Sequence, residues 1–288
     1  MSAILEVQGL TKQYPKSDFR LNEVTFSIPR GTIMGFVGEN GAGKTTTIGC
    51  ILNTLIKNSG TVKVFGKEMS DEATDIRDDI GVVYDKNAFP SHLTAVKIAS
   101  IMRHIYLNWD DNLFKKYLNT FKLPEKKKIK TFSRGMTMKL AVAVALSHRP
   151  KLLILDEATA GLDPVVRDDI LDVFLDFVQD ENNSILLSSH ITSDLEKVAD
   201  YITFIHDGSI IFNEKKDDLK YNYGIMRCKA TQFEEIDKGD ILAYRKHDYQ
   251  IDVLISDKKA AEMKYRDVVI DNASIEEIML MFVKGEKK

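Results

Sequence analysis

The stretch Gly38-Glu39-Asn40-Gly41-Ala42-Gly43-Lys44-Thr45 restricts the fold of this chain more than any other part of it. An apolar run, Ile33 to Val37, leads into it, and a helical pattern from Lys44 to about Leu55 follows. Spaced glycines ending in Lys-Thr, between a strand and a helix, form the phosphate-loop pattern. The glycines let backbone N–H groups turn inward around phosphate oxygens with no Cβ in the way. The first turn of the helix, through Thr45 and Thr46, adds its partial positive charge. Lys44 is expected to reach the β- and γ-phosphates, and the Thr45 hydroxyl to ligate Mg²⁺.

A second run, Leu152-Leu153-Ile154-Leu155, reads as a strand covered on both faces and ends in Asp156-Glu157. Two carboxylates there are unfavourable unless something cationic uses them. Asp156 is expected to hold Mg²⁺ through water, and Glu157 to polarise the attacking water as general base. Short strand-like segments at Ile4 to Val7, Val24 to Ile28, Val62 to Phe65, Ile80 to Tyr84, Ile185 to Ser188 and Tyr201 to Ile205 complete an α/β pattern. Between them, Ile98, Ile101, Met102 and Ile105, then Leu113, Tyr117, Leu118 and Phe121, recur at helical spacing. A further helix is expected from Ser133 to about Ser147, and another behind Pro164, a first-turn residue. After about Leu219 the pattern becomes a small α+β extension: Tyr249, Ile251, Val253 and Ile255 alternate, and Ser274 with Glu277 forms a capping box.

Composition narrows the function classes. Of 288 residues, 44% are hydrophobic and 29% charged, as in ordinary globular proteins, and the net charge of −3 gives no field toward nucleic acid. Cys50 and Cys228 have no metal-ligand spacing and read as reduced packing residues. Met1 to Glu6 lacks the basic and apolar segments of a secretory leader, and no apolar run is long enough to cross a bilayer. A role at a membrane would therefore come through a partner. The lysines around Ile129, from Lys126 to Lys130, read as a solvated edge, and Trp109 as packing.

In their order, over about residues 4 to 215, these motifs resemble the ATPase subunits of the ABC transporter family. Ser133-Arg134-Gly135-Met136 stands where that family has its signature loop, and Ala160-Gly161-Leu162-Asp163 resembles its D-loop. His190 resembles its switch histidine, and Tyr14 the aromatic that stacks on adenine. Asp85 occupies the place of its Q-loop glutamine, with the catalytic and metal contacts that place implies. The Trp109-Asp110 pair, the Ser-Arg-Gly-Met loop and the Glu-Ala-Thr after the catalytic strand resemble a subgroup of Gram-positive exporters of antimicrobial peptides and other amphipathic toxins.

The resemblance implies a RecA-like core with an antiparallel β subdomain, an inserted helical subdomain at about 88–147, an ATP-binding domain over 1–218 and an extension over 219–288. It implies ATP and Mg²⁺ as ligands and a head-to-tail dimer, homomeric or heteromeric, with a second ATP-binding subunit. There Ser133 and Gly135 would close on the γ-phosphate across the interface, Arg134 at the helix start is expected to pair with phosphate or ribose oxygens there, and Asp163 of the D-loop is a further nucleotide-binding candidate. It also implies separate integral membrane permease subunits, docked near Asp85 to Leu93, a place at the cytoplasmic face of the plasma membrane, and no nucleic acid partner. Two motifs depart from the family pattern. Arg134 and Met136 replace the second and fourth residues of Ser-Gly-Gly-Gln, and Asp85 replaces a glutamine. A soluble ABC ATPase, or an ATP-binding regulatory or immunity protein with weak hydrolysis, are the competing classes. ATP turnover and co-purification with a membrane protein separate them from a transporter motor.

Overall fold

The computed structural model describes residues 3–85 and 89–287, and the chain divides into two units, Met1–Ala199 with Ile205–Ile210, and Asp200–Phe204 with Ile211–Lys288. In the first unit, β1 (Ala3–Gln13) has only two exposed residues, Gln8 and Gln13, while buried and exposed residues alternate along much of β2 (Arg20–Pro29), the mark of a strand covered on one face. They pair antiparallel, with Val7 opposite Phe26. β3 (Ile33–Val37) is buried at every residue and runs into α1 (Lys44–Ile51). That helix stops short of the expected Leu55. Asn53 takes a left-handed φ of 55°, and the Thr54 and Leu55 N–H groups close back on the Gly49 carbonyl at 2.9 and 3.0 Å. β4 (Ser59–Val64) returns antiparallel to β1, and the two-residue β5 (Lys67–Glu68) gives a sheet in the order β2-β1-β4-β5.

A short α2 (Thr74–Asp78) precedes β6 (Ile80–Tyr84). Three helices follow, α3 (Ala95–Ile105), α4 (Asp111–Thr120) and α5 (Arg134–Leu146). Each starts at a side chain that accepts its free N–H groups: Thr94, Asp110 and Ser133. In α5, nine of its 13 residues are buried, which explains why it is apolar nearly all round. Trp109 is held by its neighbours, its indole donating to Asp111 at 2.9 Å with its ring 5.3 Å from Phe114.

The chain then alternates β7 (Leu152–Asp156), α6 (Pro164–Phe177), β8 (Ser184–Ser189) and α7 (Thr192–Val198). β6, β7, β8 and β3 lie side by side and parallel. Their register sets Tyr84 beside Asp156, Asp156 beside Ser188, and Ser189 beside Val37. All four carboxyl ends are therefore level, and in an open parallel sheet that edge is where ligands bind.

Beyond β9 (Tyr201–His206) and β10 (Ser209–Lys215), the second unit continues with α8 (Lys216–Asn222), β11 (Gly224–Cys228), α9 (Ala230–Glu234), β12 (Ala243–Lys246), β13 (Ile251–Ile255), α10 (Lys258–Lys264), β14 (Val269–Asn272) and α11 (Ile275–Lys284). Strands β11 to β14 form an antiparallel sheet in the order β12-β13-β11-β14 over a core of Met226, Phe233, Tyr244, Val253 and Ile255. The alternation expected from Tyr249 begins only at Ile251, because Tyr249 lies in the tight turn closed by the His247 N–H on the Gln250 carbonyl and is 95% exposed. The Ser274–Glu277 capping box starts α11, whose Phe282 ring lies 5.8 Å from Phe212. Both cysteines are buried, and burial pushes the Cys50 thiol up.

Candidate functional site

The phosphate loop is fixed by close packing at its end. Gly43 has φ 116°, and a Cβ there would stand 2.7 Å from Leu21 and 3.1 Å from Phe19, so only glycine fits the turn into α1. The Ala42 N–H donates to the Glu39 carbonyl at 3.1 Å, and the Ala42 carbonyl accepts from Gly208 at 3.0 Å. Lys44 is buried, and its ammonium donates to the Gly38 and Glu39 carbonyls at 2.7 and 3.2 Å. The same Nζ lies 3.1 Å from Glu157 Oε1. A long, flexible side chain is thus held in one place by three oxygens, which keeps its positive charge at the mouth of the loop.

The acidic edge is built by the two neighbouring strands. Asp156, at the end of β7, accepts from the Thr45 hydroxyl at 2.8 Å on one oxygen and from Ser188 at 2.7 Å on the other. Glu157 follows with φ 55°, an uncommon region for a residue with a side chain, which costs about 1–3 kcal/mol. Its N–H is held by Ser188, through the hydroxyl at 3.1 Å and the carbonyl at 3.2 Å. Its carboxylate is pinned at both oxygens, by Lys44 on one and by His190 Nδ1 at 2.6 Å on the other. Backbone strain at a residue so tightly determined is a mark of function. A carboxylate beside a lysine and a histidine, at the rim of a phosphate loop, can accept a proton from water attacking a phosphate.

Phe19, Glu39, Asn40, Gly41, Gly43, Lys44, Thr45, Thr46 and Glu157 line one cleft of about 400 Å³. The sequence reading missed two contributors. Phe19 supplies the aromatic wall of this cleft; Tyr14, expected to stack on adenine, is not among its lining residues and has the Lys12 ammonium 5.0 Å from its ring centre. Ser188 anchors both acids; its signal was a pair of serines ending a buried strand, an unusual place for hydroxyls.

The remaining expected residues do not line this cleft. Ser133 Oγ accepts the Met136 N–H at 3.2 Å as the N-cap of α5, and Asp163 accepts Val166 N–H at 3.0 Å as the N-cap of α6, with Pro164 in its first turn. Gly135 sits where a Cβ would be 3.0 Å from Val166, which keeps the starts of α5 and α6 close. Arg134 pairs with Asp85, 2.5 Å between Nη2 and Oδ1. Behind His190, Asp194 is buried 3.6 Å from Arg167, and burial pushes its carboxyl up against the opposing pull of Thr159 and Arg167.

The donors at Thr45 and Asp156 are all oxygen, the hard set that suits Mg²⁺. Among the described residues no group of three or more histidine, cysteine, aspartate or glutamate side chains converges, so a cation here would complete its shell from phosphate and water.

A phosphate loop after one strand of a parallel sheet, with an Asp-Glu pair ending the next strand but one and a histidine after the strand between, defines a phosphate-loop ATPase. A family profile described as ABC transporter matches residues 21–160. The bacitracin transport ATP-binding protein BcrA of Bacillus licheniformis is 32% identical over 258 residues, covering 87% of this chain and 83% of that protein. The lantibiotic transport ATP-binding protein SrtF of Streptococcus pyogenes is 35% identical over 219 residues, 74% of this chain and 92% of that one. A solved ATP-binding subunit of an ABC transporter superposes with a TM-score of 0.66 at 26% identity, over 75% of this chain and 92% of that chain. The dimeric cassette MJ0796 bound to ADP and Pi has the same TM-score at 20% identity, over 74% and 98%, and shares the fold. The chain belongs to the ABC transporter family, as one of its ATP-binding, ATP-hydrolysing subunits.

Proposed function

We propose that this ATPase drives export of amphipathic antimicrobial compounds of the peptide-antibiotic class, docked at the cytoplasmic face of the plasma membrane on separate membrane-spanning subunits. The supporting observation is a groove of about 540 Å³, lined by Val83, Met102, Tyr106, Phe132, Thr137 and Ala141, that opens beside Asp85 and Arg134. It joins an apolar docking surface to the catalytic edge of the sheet. Apolar side chains stay exposed nearby, with Ile101 45%, Ile105 59% and Leu107 93% exposed on and after α3. No helix among the described residues is long and apolar enough to cross a membrane. The docking stretch from Asp85 to Leu93 includes residues 86–88, which lie outside the described residues. The likeness to bacitracin and lantibiotic transport proteins supports the cargo class.

In this reading residues 1–218 form the nucleotide-binding domain, with the helical subdomain at about 88–147, and 219–288 form the extension. Thr45 and, through water, Asp156 would hold Mg²⁺, which supplies charge neutralisation on the phosphates. Two subunits face head to tail, and Ser133 and Gly135 at the start of α5 close on the nucleotide of the partner. The test is co-purification of the chain with the membrane protein encoded beside it, followed by ATPase assays of the complex in lipid. Bacitracin or a lantibiotic should stimulate turnover. A Thr137→Arg variant should lose the partner while keeping the turnover of the isolated subunit. Retention of the partner by that variant would remove the groove from this role.

A further inference from the structure

Arg134 and Asp85 are the two places where charge enters positions that are uncharged in the family pattern, and they meet. Asp85 follows Tyr84, which is in register with Asp156, so Asp85 is level with Glu157 at the catalytic edge. An added carboxylate there repels the triphosphate that this edge has to accept. Arg134 is the first residue of α5, where a cation opposes the partial positive charge of the free N–H groups. Each departure is unfavourable alone. Together they cancel, with 2.5 Å between Nη2 and Oδ1.

The guanidinium has a third neighbour. A Cβ on Gly161 would stand 2.7 Å from Nη1 and 3.0 Å from Cζ of Arg134, so the side chain lies directly on the loop between Glu157 and α6. Gly161, at φ 65°, leaves the room for it. One residue therefore touches the end of β6 and the loop after β7, while its own backbone starts α5. The pair is 54% and 42% exposed, so its contribution to stability is small. Its effect is geometric.

We propose that Asp85 and Arg134 are a matched charge exchange: a positioning pair that holds the start of α5, and with it Ser133 and Gly135, to the catalytic edge and neutralises Asp85 there. Neither residue is assigned a contact with nucleotide. If Arg134 served instead as a direct ligand for the partner's nucleotide, its loss would be harmful whatever stood at position 85.

A double-mutant cycle on the full chain decides between these. The variants are Asp85→Gln, Arg134→Gly and both together, the double variant carrying the uncharged family pattern at both positions. The readouts are kcat and KM for ATP, with Tm as a check on folding. Asp85→Gln should lower kcat by about five- to tenfold with KM for ATP within about twofold, because Lys44 and the loop are untouched, whereas Arg134→Gly, which leaves Asp85 unneutralised, should lower kcat similarly and raise KM for ATP. The double variant should recover to at least about threefold above the product of the two single effects. The exchange Asp85→Arg with Arg134→Asp, compared with its own single variants, gives a second cycle that keeps both charges should the first set melt early. Coupling below about threefold in the cycle whose members retain the wild-type Tm overturns the proposal.

Discussion

At the scale of single residues, the site is a set of side chains each held by more than one partner. Lys44 is the clearest case, fixed by two loop carbonyls and the Glu157 carboxylate. Lys44→Ala removes the only side-chain cation within the loop and leaves Glu157 without one of its partners. ATP affinity should fall by about ten- to a hundredfold, the scale of one charged hydrogen-bonding group. Calorimetry with ATP and Mg²⁺ measures it, and near wild-type affinity would place the main phosphate contact elsewhere. The residues of the loop and the Asp156-Glu157 pair were legible in the sequence because their chemistry needs them adjacent in the chain. The Arg134–Asp85 contact was not, since 49 residues separate the partners and no local pattern links them. Phe19 escaped for a related reason: an aromatic beside a turn gives no period, and only folding sets it against Gly43.

At the scale of elements, the helix starts were legible and some ends were not. Ser133, Pro164 and Ser274 announce α5, α6 and α11 through side-chain chemistry at fixed offsets. The end of α1 depends on a left-handed Asn53, which apolar periodicity does not record. The end of α5 also carries a pH dependence. His148, two residues past the helix, is fully buried and stacked on Tyr106 at 3.9 Å. Its Nδ1–H donates to the Asp78 carbonyl at 3.0 Å, and Nε2 has no hydrogen-bond partner among the described residues. Burial holds the imidazole below its usual range, against smaller opposing effects of Asp78 and Asp79. The unfolded chain therefore takes up a proton first as pH falls. The stability contributed by neutral His148 is complete above the unfolded value of about 6.5 and is lost as pH drops toward the lower folded value. Tm measured from about pH 7.5 to 5.5 should fall, and His148→Phe, which keeps the stacked ring, should flatten that slope while lowering stability at pH 7.5 by about 1 kcal/mol. Parallel slopes for the two proteins would clear His148 of this role.

At the scale of the whole molecule, nucleotide chemistry resides in the first unit, since every residue around the phosphate loop and the acidic edge belongs to it. The second unit has its own sheet and core and none of the cleft residues. A chain ended at Lys216 should bind ATP with unchanged affinity but associate with a second copy more weakly, as followed by light scattering over a concentration series. It should also melt earlier, because losing Phe282 uncovers Phe212. A monomer–dimer equilibrium identical to that of the full chain would mean that the extension serves something other than association. The central claim is that Glu157, set by Lys44, Ser188 and His190, is the base for ATP hydrolysis, and Glu157→Gln tests it most directly. The amide matches the carboxylate in size but cannot take the proton of the attacking water. ATP affinity should stay within a few-fold, single-turnover hydrolysis should fall by about 10²- to 10⁴-fold, and ATP should accumulate a dimer visible by light scattering. Hydrolysis at the wild-type rate by the Glu157→Gln protein, with ATP bound, would contradict the account.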